Sequence, residues 1–188
     1  MLQGIQAARD AGLIPIMVNA VLLRGVNEDE AEELVDWARR GELSLRFIEL
    51  MPIGGGPARG REYLVPGADV KARIERIHRL VPMDDGDTSS PARTFRFADG
   101  PGDVGFINPV TEPFCASCDR IRITADGVLR TCLFAMEETD LRTPLRDGSS
   151  DEEIVAVLRR AILGKRMKHA IGEPGFVRTS RSMSQIGG

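Results

Sequence analysis

The first fifty residues alternate between two hydrophobic periods, and that alternation leaves few folds open. "LQGIQAARDAG" (2–12) sets Ile5, Ala8 and Ala11 on one side of a helix, with Gly12 as its stop. "LIPIMVNAVLL" (13–23) is a nearly continuous apolar run and predicts a strand buried on both faces. Asn27 and Glu30 have the N-x-x-E spacing of a capping box, for a helix that runs through Arg40 and closes at Gly41. Ala31, Leu34, Val35 and Ala38 form its apolar stripe. "LSLRFIELM" (43–51) predicts a second strand. Helix, strand, helix, strand is the pattern of a parallel sheet with crossover helices. Two strands can neither close nor cover such a sheet, so this segment reads as the tail end of a larger α/β barrel or sheet.

The pattern then changes. "PIGGGPARGRE" (52–62) reads as a plain loop; a phosphate-cradling role is the weaker reading, because the G-x-x-x-x-G-K-[ST] spacing is absent. Val70, Ile74, Ile77 and Val81 predict a helix with His78 on its surface, and 83–92 is a polar linker. From Arg93 onward the segments "RTFRFAD", "DVGFINPV", "RIRITADG" and "VLRTCLF" read as short strands, and Asp126-Gly127 marks a hairpin turn. Ser150 and Glu153 form a capping box for a helix whose buried face is Ile154, Val157, Leu158, Ala161 and Ile162. The last segment has no periodicity and ends in two glycines. Its arginines, Arg178 and Arg181, fit a substrate channel and a solvated tail equally well.

Composition narrows the chemistry. With 188 residues and 42% hydrophobic side chains, the chain can bury an apolar core without disulfides. A net charge of −3 gives no reason to expect nucleic acid or an anionic membrane as a partner. No apolar run reaches the roughly 18 residues of a membrane span, and "MLQGIQAARD" lacks the pattern of a secretory leader. A cytoplasmic, reducing compartment is therefore expected, where clustered cysteines serve more often as metal ligands or catalytic groups than as disulfides.

All three cysteines fall within eighteen residues: Cys115, Cys118 and Cys132, spaced C-x2-C-x13-C. The hairpin between the second and third is expected to bring Cys132 back beside the first pair. Structural zinc wants a fourth ligand, and neither His78 nor His169 is within 36 positions of a cysteine. A redox dithiol prefers a strand-to-helix start and would leave Cys132 surplus. A [4Fe–4S] cluster on three thiolates would keep one iron open to a ligand. Spacing leaves the metal undecided. Arg120 and Arg122, two apart on a predicted strand, would face the same way and could grip a polyanion bidentately.

"FCASCDRIRITADGVLRTCLF", with "VNAVLLRGVNEDE", "LRFIELMPIG" and the terminal "IGG", resembles the GTP 3',8-cyclases, the radical S-adenosylmethionine enzymes of molybdenum cofactor biosynthesis. The resemblance spans essentially the whole chain and corresponds to the C-terminal part of such an enzyme. It implies an α/β fold: the last strands and helices of a partial (βα)6 radical barrel (1–65), a smaller α+β iron–sulfur domain (66–170) and a tail (171–188). It implies conversion of GTP to (8S)-3',8-cyclo-7,8-dihydroguanosine 5'-triphosphate with an S-adenosylmethionine-derived radical. Cys115, Cys118 and Cys132 match the ligands of a second [4Fe–4S] cluster, and Arg120, Ile121 and Arg122 the grip on GTP. Arg46, Gly187 and Gly188 match active-site positions, and Asn19 and Met51 positions at the S-adenosylmethionine site. Implied partners are GTP, a second copy as a homodimer, and a downstream cyclic pyranopterin monophosphate synthase. Two departures stand out. The C-x3-C-x2-C motif of the cluster that cleaves S-adenosylmethionine is absent, so this chain alone is expected to bind only the second cluster and GTP. Met17 occupies a position where the family has a GTP-contacting lysine. A zinc-binding, non-enzymatic module and a fragment of another radical enzyme with an auxiliary cluster are the alternatives.

Overall fold

A computed structural model describes residues 2–54, 60–84 and 86–186. The chain is mixed α/β and divides into two compact units: residues 1–51 with 60–114, and residues 52–59 with 115–188.

The first unit holds helix α1 (Leu2–Asp10), strand β1 (Met17–Val21), helix α2 (Ala31–Arg40), strand β2 (Ser44–Ile48), helix α3 (Gly67–Ile74) and strands β3 (Leu80–Pro82), β4 (Arg93–Phe97) and β5 (Asp103–Ile107). Its five-stranded sheet has the order β1-β2-β5-β4-β3. The β1–β2 and β2–β5 pairs are parallel and the remaining two antiparallel. Because β5 pairs with β2, the sheet draws strands from both sides of residue 65. The compact unit that holds this sheet runs to Phe114. One sheet face carries Leu45, Phe47, Val104 and Phe106, which form a single core with Ala31, Val35 and Ala38 of α2 and Val70 and Ile74 of α3. These small and branched side chains recur at helical spacing, so α2 and α3 lie on this face.

Several expectations change here. The strand expected over 13–23 spans only Met17–Val21 and is not buried on both faces: positions 17, 19 and 21 are exposed. It sits at the sheet edge and covers its core with Val18 and Ala20 alone. Asn27 does not cap α2. Its carboxamide turns back to accept from the Leu23 N–H (2.7 Å) and donate to the Val21 carbonyl (3.2 Å). A 3-10 turn over Glu28–Glu30 moves the helix start to Ala31. Helix α3 stops at Ile74, leaving Ile77 61% exposed and Val81 in β3. His78 follows that helix, its Nδ1 2.7 Å from Arg39 Nη1 and its Nε2 3.3 Å from Asp36. Glu49, just past β2, is buried. It accepts from the backbone N–H groups of Gly67 (3.1 Å), Val110 and Thr111 (both 2.9 Å) and from the Thr111 hydroxyl. One carboxylate thus ties together the end of β2, the start of α3 and the chain leaving β5.

The second unit holds a small antiparallel sheet, β6 (Arg122–Ile123), β7 (Val128–Arg130) and β8 (Thr139–Asp140), followed by helix α4 (Asp151–Leu163). The hairpin forms where Asp126-Gly127 predicts it. The Gly127 N–H donates to the Thr124 carbonyl, and Gly127 has φ +82°, a conformation that favours glycine. Ser150 and Glu153 form the expected reciprocal cap of α4. Ile154, Val157, Leu158 and Ala161 are only half-buried and Ile162 is exposed, so the expected buried face of this helix is not enclosed. The C-terminal segment has no long element, yet Ile171, Thr179 and Ile186 are buried. Among the described residues, no helix is long and apolar enough to cross a membrane.

Candidate functional site

The expected site residues fall in both units. In the first, the parallel register aligns Asn19, Arg46 and Gly105 in one row across β1, β2 and β5. Side chains of aligned residues share a face, so Asn19 and Arg46 lie away from the helices, and Met17 shares that face two residues earlier. Met17 is 57% exposed. Arg46 is buried. It donates to Asp103 (2.5 Å) and to the Leu45 carbonyl (3.1 Å), and its stem runs over Gly105. A Cβ at Gly105 would lie 2.4 Å from Arg46 Cδ, so the glycine makes room for the arginine. Met51 is half-buried beyond the end of β2.

In the second unit, Cys115 opens a 3-10 turn over Cys115–Ser117, and the Cys118 N–H closes back on the Cys115 carbonyl (3.2 Å). Cys132 lies two residues beyond β7. All three thiols are free, half-buried and on the wall of one cavity of about 200 Å³, with Phe134, Lys165 and His169. Cys118 Sγ accepts from Arg120 Nη2 (3.5 Å) and from Lys165 Nζ (3.6 Å), while Cys132 Sγ accepts from the Phe134 N–H (3.5 Å). Among the described residues, no three histidine, cysteine, aspartate or glutamate side chains are gathered closely enough to hold a metal ion. The hairpin therefore brings the three sulfurs to a common wall, with two of them engaged by polar partners of their own.

The surroundings of Cys118 lower its thiol. Burial raises the Cys118 thiol, but the backbone and side-chain hydrogen bonds of Arg120 and the charges of Arg120 and Lys165 outweigh it, leaving the thiol below its ordinary value. Cysteine sulfur is donor chemistry suited to a soft metal, although the three side chains are not gathered round one point in this structure.

Arg120 and Arg122 do not lie on one strand, since β6 begins at Arg122 and Arg120 precedes it, turned onto Cys118. Among the described residues, the buried Arg122 Nε has no hydrogen-bond partner, a donor whose burial is costly until something accepts from it. Ile121 is 40% exposed. Gly187 and Gly188, and loop positions 55–59, lie outside the described residues.

Sequence reasoning missed Lys165 and His169. Lys165 follows α4, and its ammonium donates to the carbonyls of Cys118 (2.6 Å) and Arg120 (3.0 Å). His169 is buried, packs edge-on against Phe134 (5.1 Å between rings) and accepts from the Ile171 N–H (3.2 Å). Its distance in sequence from the cysteines hid it. A lysine at the end of an amphipathic helix also has an ordinary solvated reading, and no local signal separates the two.

The chain is similar to proteins named GTP 3',8-cyclase. That of Moorella thermoacetica is 47% identical over 186 residues, 99% of this chain and 57% of the relative. Those of Streptomyces coelicolor and Pelotomaculum thermopropionicum are 45% and 43% identical, covering 100% and 99% of this chain and 55% and 57% of their own lengths. The chain thus spans little more than half the length of these curated relatives. Residues 43–171, which include all three cysteines, both arginines, Lys165 and His169, match the family model Molybdenum Cofactor Synthesis C. The chain belongs to the Molybdenum Cofactor Synthesis C family.

Proposed function

We propose that this chain is the part of a GTP 3',8-cyclase that holds an iron–sulfur cluster and the substrate GTP. The observation that carries the reading is the meeting of all three cysteines and Lys165 on one cavity wall, with Arg120 against Cys118. Cys115, Cys118 and Cys132 hold a [4Fe–4S] cluster. That group would supply a Lewis-acidic iron to the guanine base. Arg120 and Arg122, with Ile121 between them, hold the triphosphate; the buried Arg122 Nε, without an acceptor among the described residues, supports that role. Lys165 fixes the backbone between Cys118 and Arg120 and offsets thiolate charge.

In the same reading residues 1–65 are the end of a partial (βα)6 barrel that binds S-adenosylmethionine. Asn19 and Met51 face that cofactor, and Arg46, Gly187 and Gly188 serve the active site. Met17 replaces a charged donor, which predicts weak GTP binding relative to a Met17→Lys variant. The functional divisions are 1–65, 66–170 and 171–188. A homodimer, a cytoplasmic setting and hand-over to a cyclic pyranopterin monophosphate synthase complete the proposal.

The test is anaerobic iron–sulfur reconstitution followed by GTP titration. The reading expects a coloured protein whose cluster spectrum shifts on adding GTP, with Arg122→Ala weakening the response. Iron uptake with no response to GTP would remove the nucleotide half of the proposal. One observation favours a second reading: His169 lines the same cavity as the three cysteines, the residue types of a three-cysteine, one-histidine zinc site. One zinc per chain, and no iron after reconstitution, would select it.

A further inference from the structure

Arg181 lies seven residues before the chain end, and all three of its guanidinium nitrogens are engaged. Nη1 and Nη2 donate to the Asp126 carboxylate (3.3 and 2.9 Å) in the hairpin turn. Nε and Nη2 meet the two oxygens of Glu138 (2.7 and 3.0 Å). Glu138 is shared, because it also accepts from Nη1 of Arg130, whose side chain is 2% exposed. The other terminal nitrogen of Arg130 donates to the carbonyls of Leu133 and Ala135, the loop directly after Cys132. A continuous path thus runs from the C-terminal segment, through Arg181, Glu138 and Arg130, to the Cys132 loop. The segment beyond Arg181 is seated as well: the Ser182 N–H donates to Gln185 (2.8 Å), and Ile186 is fully buried.

We propose that Arg181 is a positioning residue that latches the C-terminal segment onto the Cys132 hairpin, with Glu138 as the shared carboxylate, so that seating of residues 182–186 and the shape of the 131–138 loop are set together. The latch needs the planar fork of arginine, since two carboxylates are bridged at once and an ammonium is a single point charge. With 25% of the Arg181 side chain and 30% of the Glu138 side chain exposed, the pairs are only partly screened by solvent. The inference goes beyond the proposed function and requires neither cluster nor nucleotide.

Hydrogen exchange read by mass spectrometry on the full chain, with no metal or GTP added, tests it. Arg181→Ala is expected to speed exchange about tenfold in both 182–186 and 131–138, and to leave β2 and β5 unchanged. Arg181→Lys is expected to restore protection in part. Asp126→Asn is expected to loosen 182–186 alone, because Asp126 does not touch Arg130, whereas Glu138→Gln loosens both segments. Loosening of the tail with an unchanged 131–138 loop would overturn the coupling. Equal acceleration of β2 and β5 would also overturn it, by making Arg181 a general support of the fold.

Discussion

Buried charge in this chain is held by short-range partners, and single substitutions test that directly. Glu49 accepts four hydrogen bonds with its two oxygens. Glu49→Gln would turn an NH₂ toward backbone donors and leave at least one buried N–H unpaired, so a loss of about 2–4 kcal/mol is expected in urea unfolding. Gly105→Ala would press a methyl against the stem of Arg46, which Asp103 holds in place. The expected cost is about 1–3 kcal/mol by the same measurement. The latch carboxylates set a pH dependence. Hydrogen bonds from the Thr124 hydroxyl, and then from Arg181, hold Asp126 down at about 2; Arg181, more than Arg130, holds Glu138 below its usual range. Carboxylates lowered in the folded state contribute fully above their ordinary values and cease to contribute as pH falls through the lowered ones. The amide signals of 182–186 should therefore be steady above pH 5 and shift between about pH 4 and about pH 2, with Asp126→Asn removing much of that shift.

At the level of elements, signals that depend on neighbours a few residues away were legible, and those that depend on distant packing were not. The Ser150–Glu153 cap and the Asp126-Gly127 turn are local, and both form as expected. Ser150→Ala is expected to cost α4 about 1 kcal/mol, seen as a lower thermal midpoint. The equally local Asn27–Glu30 pattern failed because the carboxamide found better partners behind it, at Leu23 and Val21. The run 13–23 suggested full burial, but an apolar run cannot reveal that its strand lies at a sheet edge. The cysteine spacing was legible and its surroundings were not: Lys165 and His169 reach the cavity through the packing of α4 and the chain beyond it.

For the molecule as a whole, the α/β alternation was readable from the first fifty residues, while the grouping of strands was not. No sequence pattern announces that β5 inserts beside β2 and carries residues 66–114 into the first unit. The core of that unit is continuous from Leu22 to Phe106. Ile74 is fully buried within it, so Ile74→Ala should destabilise the chain by about 2–5 kcal/mol in chemical denaturation. The proposed function rests on the second unit, where the three cysteines line a cavity together with Lys165. Counting metal in anaerobically reconstituted protein, for the unaltered chain and for Cys115→Ser, Cys118→Ser and Cys132→Ser singly, addresses that point most directly. About four irons per unaltered chain are expected, with loss of the cluster in every single variant. Full iron retention after replacing any one of the three, or one zinc and no iron in the unaltered chain, would contradict a shared iron–sulfur centre.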